Sequence, residues 1–307
     1  MAQAIERLLA TPKTMPVLPS SRPIRGTSRT HASLAHGSTG GKPPALYCRP
    51  MTPNHVKQRL AAGKACFGSL LNFGDPLVAE LMASVGFDWL LVDTEHGPID
   101  LATLATMFAT ITRYPCAPFV RVHALDEENV KRVLDAGAWG VLAPNIRTRE
   151  EAELLVRACK YPPEGVRSLG AGRFALSFKT DAPTYFQRAN DEILVIAQIE
   201  HVDAVANIDA ILSVPGVDAC YVGPNDWCAS AGLPPSLEPP YPEFEAAMQT
   251  VLAAARRHGV AAGIHSLQPE TVNRRIREGW RLVGMVNDQR FLFGAAKAAR
   301  DAVKTDV

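Results

Sequence analysis

The residues best equipped for chemistry fall into a few short clusters. Asp93, Glu95 and His96 lie within four positions at the end of the apolar run "WLLV", and Arg121 interrupts the apolar "FVRVHA". Gln198 and Glu200 close "AQIE", and Asn225 and Asp226 close "VGPND". Glu200 and Asp226 are hard oxygen donors. If they converge, two carboxylates with water and ligand oxygens describe an octahedral Mg²⁺ or Mn²⁺ site. The plain alternative is that Glu200 caps a helix and Asp226 a turn. An unpaired buried cation is costly. Arg121 therefore either pairs with a core carboxylate or presents fixed positive charge to an anionic oxygen of a ligand. His96 is a candidate base or acid, the role imidazoles commonly fill, its alternative being an ordinary loop histidine. His123, His201, His258 and His265 read as loop or helix-end residues. Tyr161, Trp227 and Met285 read as packing residues.

Several chemistries find no support. There is no nucleophile elbow, P-loop or paired-histidine motif. Lys64 and Lys179 fall outside strand interiors, so an imine-forming strand lysine is not indicated. The six cysteines are scattered without a CxxC pair, which suggests neither a disulfide framework nor a zinc site. A net charge of +1 argues against a nucleic-acid binder, and no apolar stretch is long enough for a membrane span.

Elements that could hold these residues together follow a regular rhythm. Short β-rich apolar runs are predicted at 65–73, 87–93, 117–122, 139–146, 192–200, 217–226, 260–266 and 281–288. Helices are predicted at 76–86, 101–114, 126–137, 148–160, 203–214, 241–259, 269–279 and 289–303, with a long loop over 161–190. Continuous rather than alternating apolar strands imply burial on both faces and a parallel sheet. Eight strand–helix units in this length fit a (β/α)₈ TIM barrel better than an open doubly wound sheet, and no Gly-rich dinucleotide fingerprint follows the first strand. In such a barrel the clusters all fall at the carboxyl ends of strands, the rim that carries chemistry.

Residues 1–50 differ. Their one acidic residue, Glu6, faces seven basic ones, and periodicity fades after about residue 10. Two readings stand: a disordered tail, including translation upstream of a start at Met51, or a mitochondrial transit peptide. They place the protein in the cytoplasm or the mitochondrion. The expected division is thus an extension over 1–50 and a barrel domain over 51–307.

Taken together, "FDWLLVDTEHGP", "VRVHA", "VLDAGAWGVLAPNI", "YPPEGVRSLG", "YFQRANDEILVIAQIE" and "GVDACYVGPNDWCASAG" resemble the HpcH/HpaI aldolases, the class II pyruvate aldolases. The resemblance runs from about Met51 to the last helix. It implies a TIM barrel of the phosphoenolpyruvate/pyruvate type whose C-terminal helix packs on a neighbouring subunit, in a trimer- or dimer-built homo-oligomer, commonly a hexamer. It implies Mg²⁺, Mn²⁺ or Co²⁺ held by Glu200 and Asp226, and a 2-oxo acid substrate contacted by Arg121, Gln198 and the backbone near Asn225 and Asp226. Under it, His96 shuttles a proton with support from Asp135, while Asp93 and Glu95 order water around the metal. Two motifs depart from the family pattern: Trp227-Cys228 stand where Leu-Ser is common, and Ser168 replaces a glycine. The loop over 170–190 also differs.

The implied activity is reversible cleavage of a 4-hydroxy-2-oxo acid to pyruvate and an aldehyde through a pyruvate enolate. Oxaloacetate decarboxylation of the macrophomate-synthase-like kind would use the same enolate. A citrate-lyase-type CoA-ester lyase would want a basic phosphate site that is not evident. A non-catalytic barrel would not need every candidate ligand.

Overall fold

A computed structural model describes residues 50–304. The extension expected over 1–50 lies almost entirely outside the described residues. The chain order is α1 (His55–Ala61), β1 (Cys66–Leu71), α2 (Pro76–Ser84), β2 (Trp89–Asp93), α3 (Leu101–Ile111), β3 (Ala117–Arg121), α4 (Glu127–Asp135) and β4 (Gly140–Ala143). It continues through α5 (Arg149–Cys159), α6 (Phe174–Ser177), α7 (Ala182–Glu192), β5 (Leu194–Ile199), α8 (Val202–Ala206), α9 (Ile208–Leu212) and β6 (Ala219–Val222). The last elements are α10 (Pro224–Ser230), α11 (Pro242–His258), β7 (Ala261–Ser266), α12 (Pro269–Glu278), β8 (Leu282–Asn287) and α13 (Asp288–Ala302). Strands β1 to β8 pair in sequence order, all parallel, and β8 closes on β1, which makes the expected (β/α)₈ barrel.

Local chemistry sets the element ends. Asp75, Asp100, Asp126 and Asp181 each accept a backbone N–H in the first turn of the helix they precede, and Thr148 with Glu151 forms a full capping box. Gly259 stops α11 in the left-handed region, at φ 67°.

Large side chains fill the barrel interior opposite glycines. Trp89 stacks on Phe119 at 5.8 Å and meets Tyr221 edge-on at 6.1 Å. A Cβ at Gly68 would lie 2.2 Å from the Trp89 ring, and one at Gly140 2.7 Å from Phe119. These glycines therefore make room for the rings. Each large apolar side chain buried this way contributes roughly 1.5–3 kcal/mol.

The N-terminal ends of the strands are closed by α1, α6 and α7. Asn54 donates to the carbonyls of Trp139 and Glu192, and Trp139 stacks on Phe178 at 4.6 Å. The segment read as a loop at 161–190 thus carries two helices. Their apolar residues lack a clean period because they plug a barrel end rather than line its side. The predicted helix at 203–214 breaks at Asn207, whose amide donates to the Arg147 carbonyl.

Candidate active site

A cavity of about 350 Å³ opens at the carboxyl ends of the strands. His96, Arg121, Gln198, Asn225 and Asp226 all line it, as does Asp93. Residues far apart in sequence therefore meet as the barrel reading requires.

Asp93 ends a strand that is buried throughout. Its Oδ1 accepts from Arg121 Nε (2.9 Å) and from the backbone N–H groups of Glu95 (3.1 Å) and His96 (3.3 Å). Its Oδ2 accepts from Arg121 Nη2 (2.6 Å) and Asn72 Nδ2 (2.8 Å). Asn72 Oδ1 in turn accepts from Asn287 Nδ2 at 2.8 Å. A hydrogen-bonded chain thus ties the ends of β8, β1, β2 and β3 to one guanidinium. Burial alone would raise the Asp93 carboxyl, but Arg121, the His96 amide and Asn72 outweigh it and hold it below the usual carboxylate range. These donors use up a carboxylate's acceptor capacity. Asp93 therefore positions Arg121, where the sequence suggested that it orders water.

Arg121 is mostly buried and pairs with core carboxylates, the first of the two readings given to it. It is ion-paired to Asp93 and, through Nη1, to Glu95 Oε2 at 3.2 Å, and it still lines the cavity. Glu95 Oε2 is buried without a hydrogen bond, and burial pushes its carboxyl up despite the neighbouring Arg121 and His96. His96 Nε2 lies 3.7 Å from that same oxygen, with the imidazole 64% exposed.

Glu200 follows β5 and is nearly fully buried. Its Oε1 accepts from Asn145 N–H at 2.8 Å, and its Oε2 accepts from Gln198 Nε2. A Cβ at Gly223 would lie 2.9 Å from Glu200 Oε2, so a glycine here leaves the carboxylate room. Burial, with repulsion from Asp226 and Glu95, pushes the Glu200 carboxyl up to about 7 against the lowering by the Asn145 amide and Arg121. Asp226 is exposed. It does not end a strand, as the 217–226 reading had it. β6 stops at Val222, and Pro224 starts α10 with its fixed φ, so Asn225 and Asp226 occupy a helical first turn.

The residues present fit a divalent cation. Asp93, Glu95, Glu200 and Asp226 crowd one sector around Arg121. Two buried acceptors, Glu95 Oε2 and Gln198 Oε1, have no hydrogen-bond donor. Among the described residues no group of three or more His, Cys, Asp or Glu side chains is placed to hold a metal.

Asp135 is placed elsewhere. It ends α4 at the N-terminal end of the barrel, where Oδ1 takes Arg167 Nη2 at 2.8 Å, and it does not line the cavity. Within one chain it cannot support His96, because a helix returning from a strand ends on the opposite face. Trp227 and Cys228 lie on α10 with their side chains buried, Trp227 edge-on to Phe244, and neither lines the cavity, so that departure alters packing rather than the cavity wall. Asp288 binds the Asn72 and Phe73 amides, each at 3.0 Å, and fastens β8 to β1.

Among the polar cavity residues, Asn72, Tyr221 and Arg290 escaped the sequence reading, and His265 was given only a loop or helix-end role. His265 had a usable signal, since it sits at the carboxyl end of the seventh strand, the same position that singled out the others. Tyr221, inside an apolar strand, had none.

The HpcH/HpaI aldolase/citrate lyase family model matches residues 68–290. The chain is 40% identical over 225 residues to a hydroxypyruvate/pyruvate aldolase of Pseudomonas aeruginosa, covering 73% of this chain and 83% of that protein. It is 36% identical over 245 residues to a 4-hydroxy-2-oxo-heptane-1,7-dioate aldolase of Escherichia coli, covering 80% and 93%. Among solved structures, an HpcH/HpaI aldolase/citrate lyase family protein of Burkholderia cenocepacia superposes with a TM-score of 0.76 at 35% identity, covering 81% of this chain and 98% of that one.

Proposed function

This chain belongs to the HpcH/HpaI aldolase/citrate lyase family, and from that membership we propose that it cleaves a 4-hydroxy-2-oxo acid reversibly to pyruvate and an aldehyde. It is a carbon–carbon lyase, and the family is generally dependent on a divalent metal. The observation that carries the reading is Glu200, a buried carboxylate held beside Asp226, Gln198 and Arg121 at the mouth of the barrel.

Breaking the C3–C4 bond sends its electrons toward the C2 oxygen, and the enolate charge gathered there is the main barrier. A divalent cation held by Glu200 and Asp226, whether Mg²⁺, Mn²⁺ or Co²⁺, would supply Lewis-acid stabilisation of that charge. Arg121, fixed by Asp93 and Glu95, aims positive charge at the same oxygen. The unsatisfied N–H groups of the first turn of α10, at Asn225 and Asp226, suit the substrate carboxylate, and Gln198 borders it. His96 takes the proton of the C4 hydroxyl as the aldehyde leaves, and protonation at C3 then gives pyruvate. Asp135 joins this scheme only from a neighbouring subunit. Its Oδ2 has no partner among the described residues, and its side chain is partly exposed. A homo-oligomer, trimer or hexamer, is supported by exposed Leu77 and Leu81 on α2 with Val85 just past its end, at four-residue spacing, and by α13, where only Asp288 is buried. No helix among the described residues is long and apolar enough to cross a membrane.

Pyruvate release from 4-hydroxy-2-oxo acids with Mg²⁺ or Mn²⁺, and its disappearance with EDTA, tests the proposal; metal-independent release would sink it. His96→Ala should abolish aldol cleavage and spare oxaloacetate decarboxylation. Equal loss of both would move His96 from the hydroxyl proton to the enolate.

A further inference from the structure

Glu200 is held from two sides. Gln198 Nε2 donates to its Oε2 from β5 itself, and the Asn145 N–H donates to its Oε1 at 2.8 Å from beyond the end of the neighbouring strand, β4. An ionised carboxylate offers about four lone pairs. A donor on each oxygen fixes the plane of the group and leaves each oxygen a lone pair for a cation.

The Asn145 amide reaches Glu200 because the chain leaves β4 in an unusual way. Along that strand successive backbone groups face opposite neighbours. The Leu142 carbonyl accepts from the Val122 N–H, on the β3 side, and the Trp139 carbonyl accepts from the Leu194 N–H, on the β5 side. Alternation carried past Ala143 would turn the amides of Asn145 and Ile146 in opposite directions. Both instead face β5, where the Ile146 N–H donates to the Gln198 carbonyl at 3.2 Å. Asn145 brings them to one side by taking φ 57°, in the left-handed region.

Glycine and asparagine enter that region most readily. Asn145 is exposed, does not line the cavity, and accepts at Oδ1 from Arg147 Nη2 at 3.1 Å, an exposed contact. The turn that follows is clamped. The Arg147 and Thr148 amides donate to Glu151 Oε2 at 2.6 and 3.1 Å, and Asn207 Nδ2 donates to the Arg147 carbonyl at 2.9 Å. The break between α8 and α9 at Asn207 thus ties the turn after β4 to the helices that follow Glu200.

We infer that Asn145 is a positioning residue for the cation site: its left-handed backbone turns an amide onto Glu200 Oε1 and holds the carboxylate where a divalent cation can take it. This rests on the proposed reading of Glu200 as a ligand. Position 145 must then supply a backbone conformation rather than a side chain. Glycine should serve there, and a β-branched residue, for which positive φ is a strained outlier, should not.

The test is calorimetric titration of Mn²⁺ into metal-free wild type, Asn145→Gly, Asn145→Ala, Asn145→Val and Glu200→Gln, with the melting temperature of each metal-free protein as the measure of folding. Asn145→Gly should keep the wild-type affinity within about twofold. Asn145→Val should weaken it about tenfold, the low end of what losing a partner of a metal ligand costs, and Asn145→Ala should fall between. If Asn145→Val does not fold, tighter binding by Asn145→Gly than by Asn145→Ala carries the test. Equal affinity across the position-145 variants overturns the inference. So does a loss in Asn145→Gly as large as in Asn145→Ala or Asn145→Val, which would place the role in the side chain. Unaltered affinity in Glu200→Gln would instead sink the ligand assignment, and the inference with it.

Discussion

Arg121 and Arg167 sit at opposite ends of the same barrel, each buried and each paired with an aspartate, and they do different work. Arg121 has Asp93 and Glu95 on its nitrogens and Glu200 acting on it by charge. Arg167 has Asp135 alone at 2.8 Å, a hydrogen bond from Nη1 to Tyr185 OH at 3.0 Å, and the Tyr161 ring 4.5 Å from its guanidinium carbon. At the N-terminal end one aspartate balances one arginine and aromatic rings cover the guanidinium. At the carboxyl end Asp93, Glu95 and Glu200 outnumber Arg121, and Asp93 and Asp226 line a cavity. A buried arginine–aspartate pair is therefore not in itself a mark of chemistry. The mark is the negative charge left over around it.

Substitutions can break this contrast. Arg121→Lys keeps the charge but loses the fork that Asp93 holds, and kcat should fall about 10²–10³-fold in a steady-state pyruvate assay. Removal of Arg167 should instead show first in stability. Arg167→Met leaves Asp135 without its partner and strips the aromatic cage, and should cost about 2–4 kcal/mol in urea denaturation, more than Arg121→Lys costs. Asp135→Asn sharpens the comparison, since it keeps an acceptor for Arg167 but drops the charge. If a neighbouring subunit presents Asp135 to His96, kcat should fall about tenfold with little change in melting temperature. Unchanged kcat would confine Asp135 to its pairing with Arg167.

The smallest effect is on pH. The Glu200 carboxyl is raised to about 7 from an ordinary value of 4.5. Without metal, its contribution to stability is full below pH 4.5 and is lost as pH rises through 7, where the buried carboxylate must ionise. Cation binding reverses that cost. The rise in melting temperature on adding Mg²⁺ should therefore be greater at pH 8 than at pH 5.5, by a few degrees.

The barrel was legible because period and length are local signals: buried strands read as continuous apolar runs, and caps mark the helices. The rim residues were legible for the same reason, since Asp93, Arg121 and Glu200 break otherwise apolar strand ends. The resemblance supplied their roles. Asp93 was assigned to water because the sequence does not reveal that Asn72 and Arg121 consume its oxygens across three strands. Asp226 was placed on a strand because "VGPND" looks extended until Pro224 is recognised as a helix start. Asp135 shows the limit most clearly. A motif match preserves a residue's identity, but only three-dimensional placement shows that a helix ending at the far face cannot serve the near one. His265 carries the same strand-end signal as the other rim residues, whereas Arg290 lies in α13, beyond any strand end.

Glu200 and Asp226 at the carboxyl rim are the residues proposed to hold a divalent cation. Calorimetric titration of Mn²⁺ into metal-free wild type and Glu200→Gln tests this most directly. Wild type should bind saturably, and the substitution should weaken binding at least about a hundredfold, with the metal-free variant folding at least as stably near pH 8 because a buried charge is gone. Unaltered Mn²⁺ affinity in Glu200→Gln would contradict it.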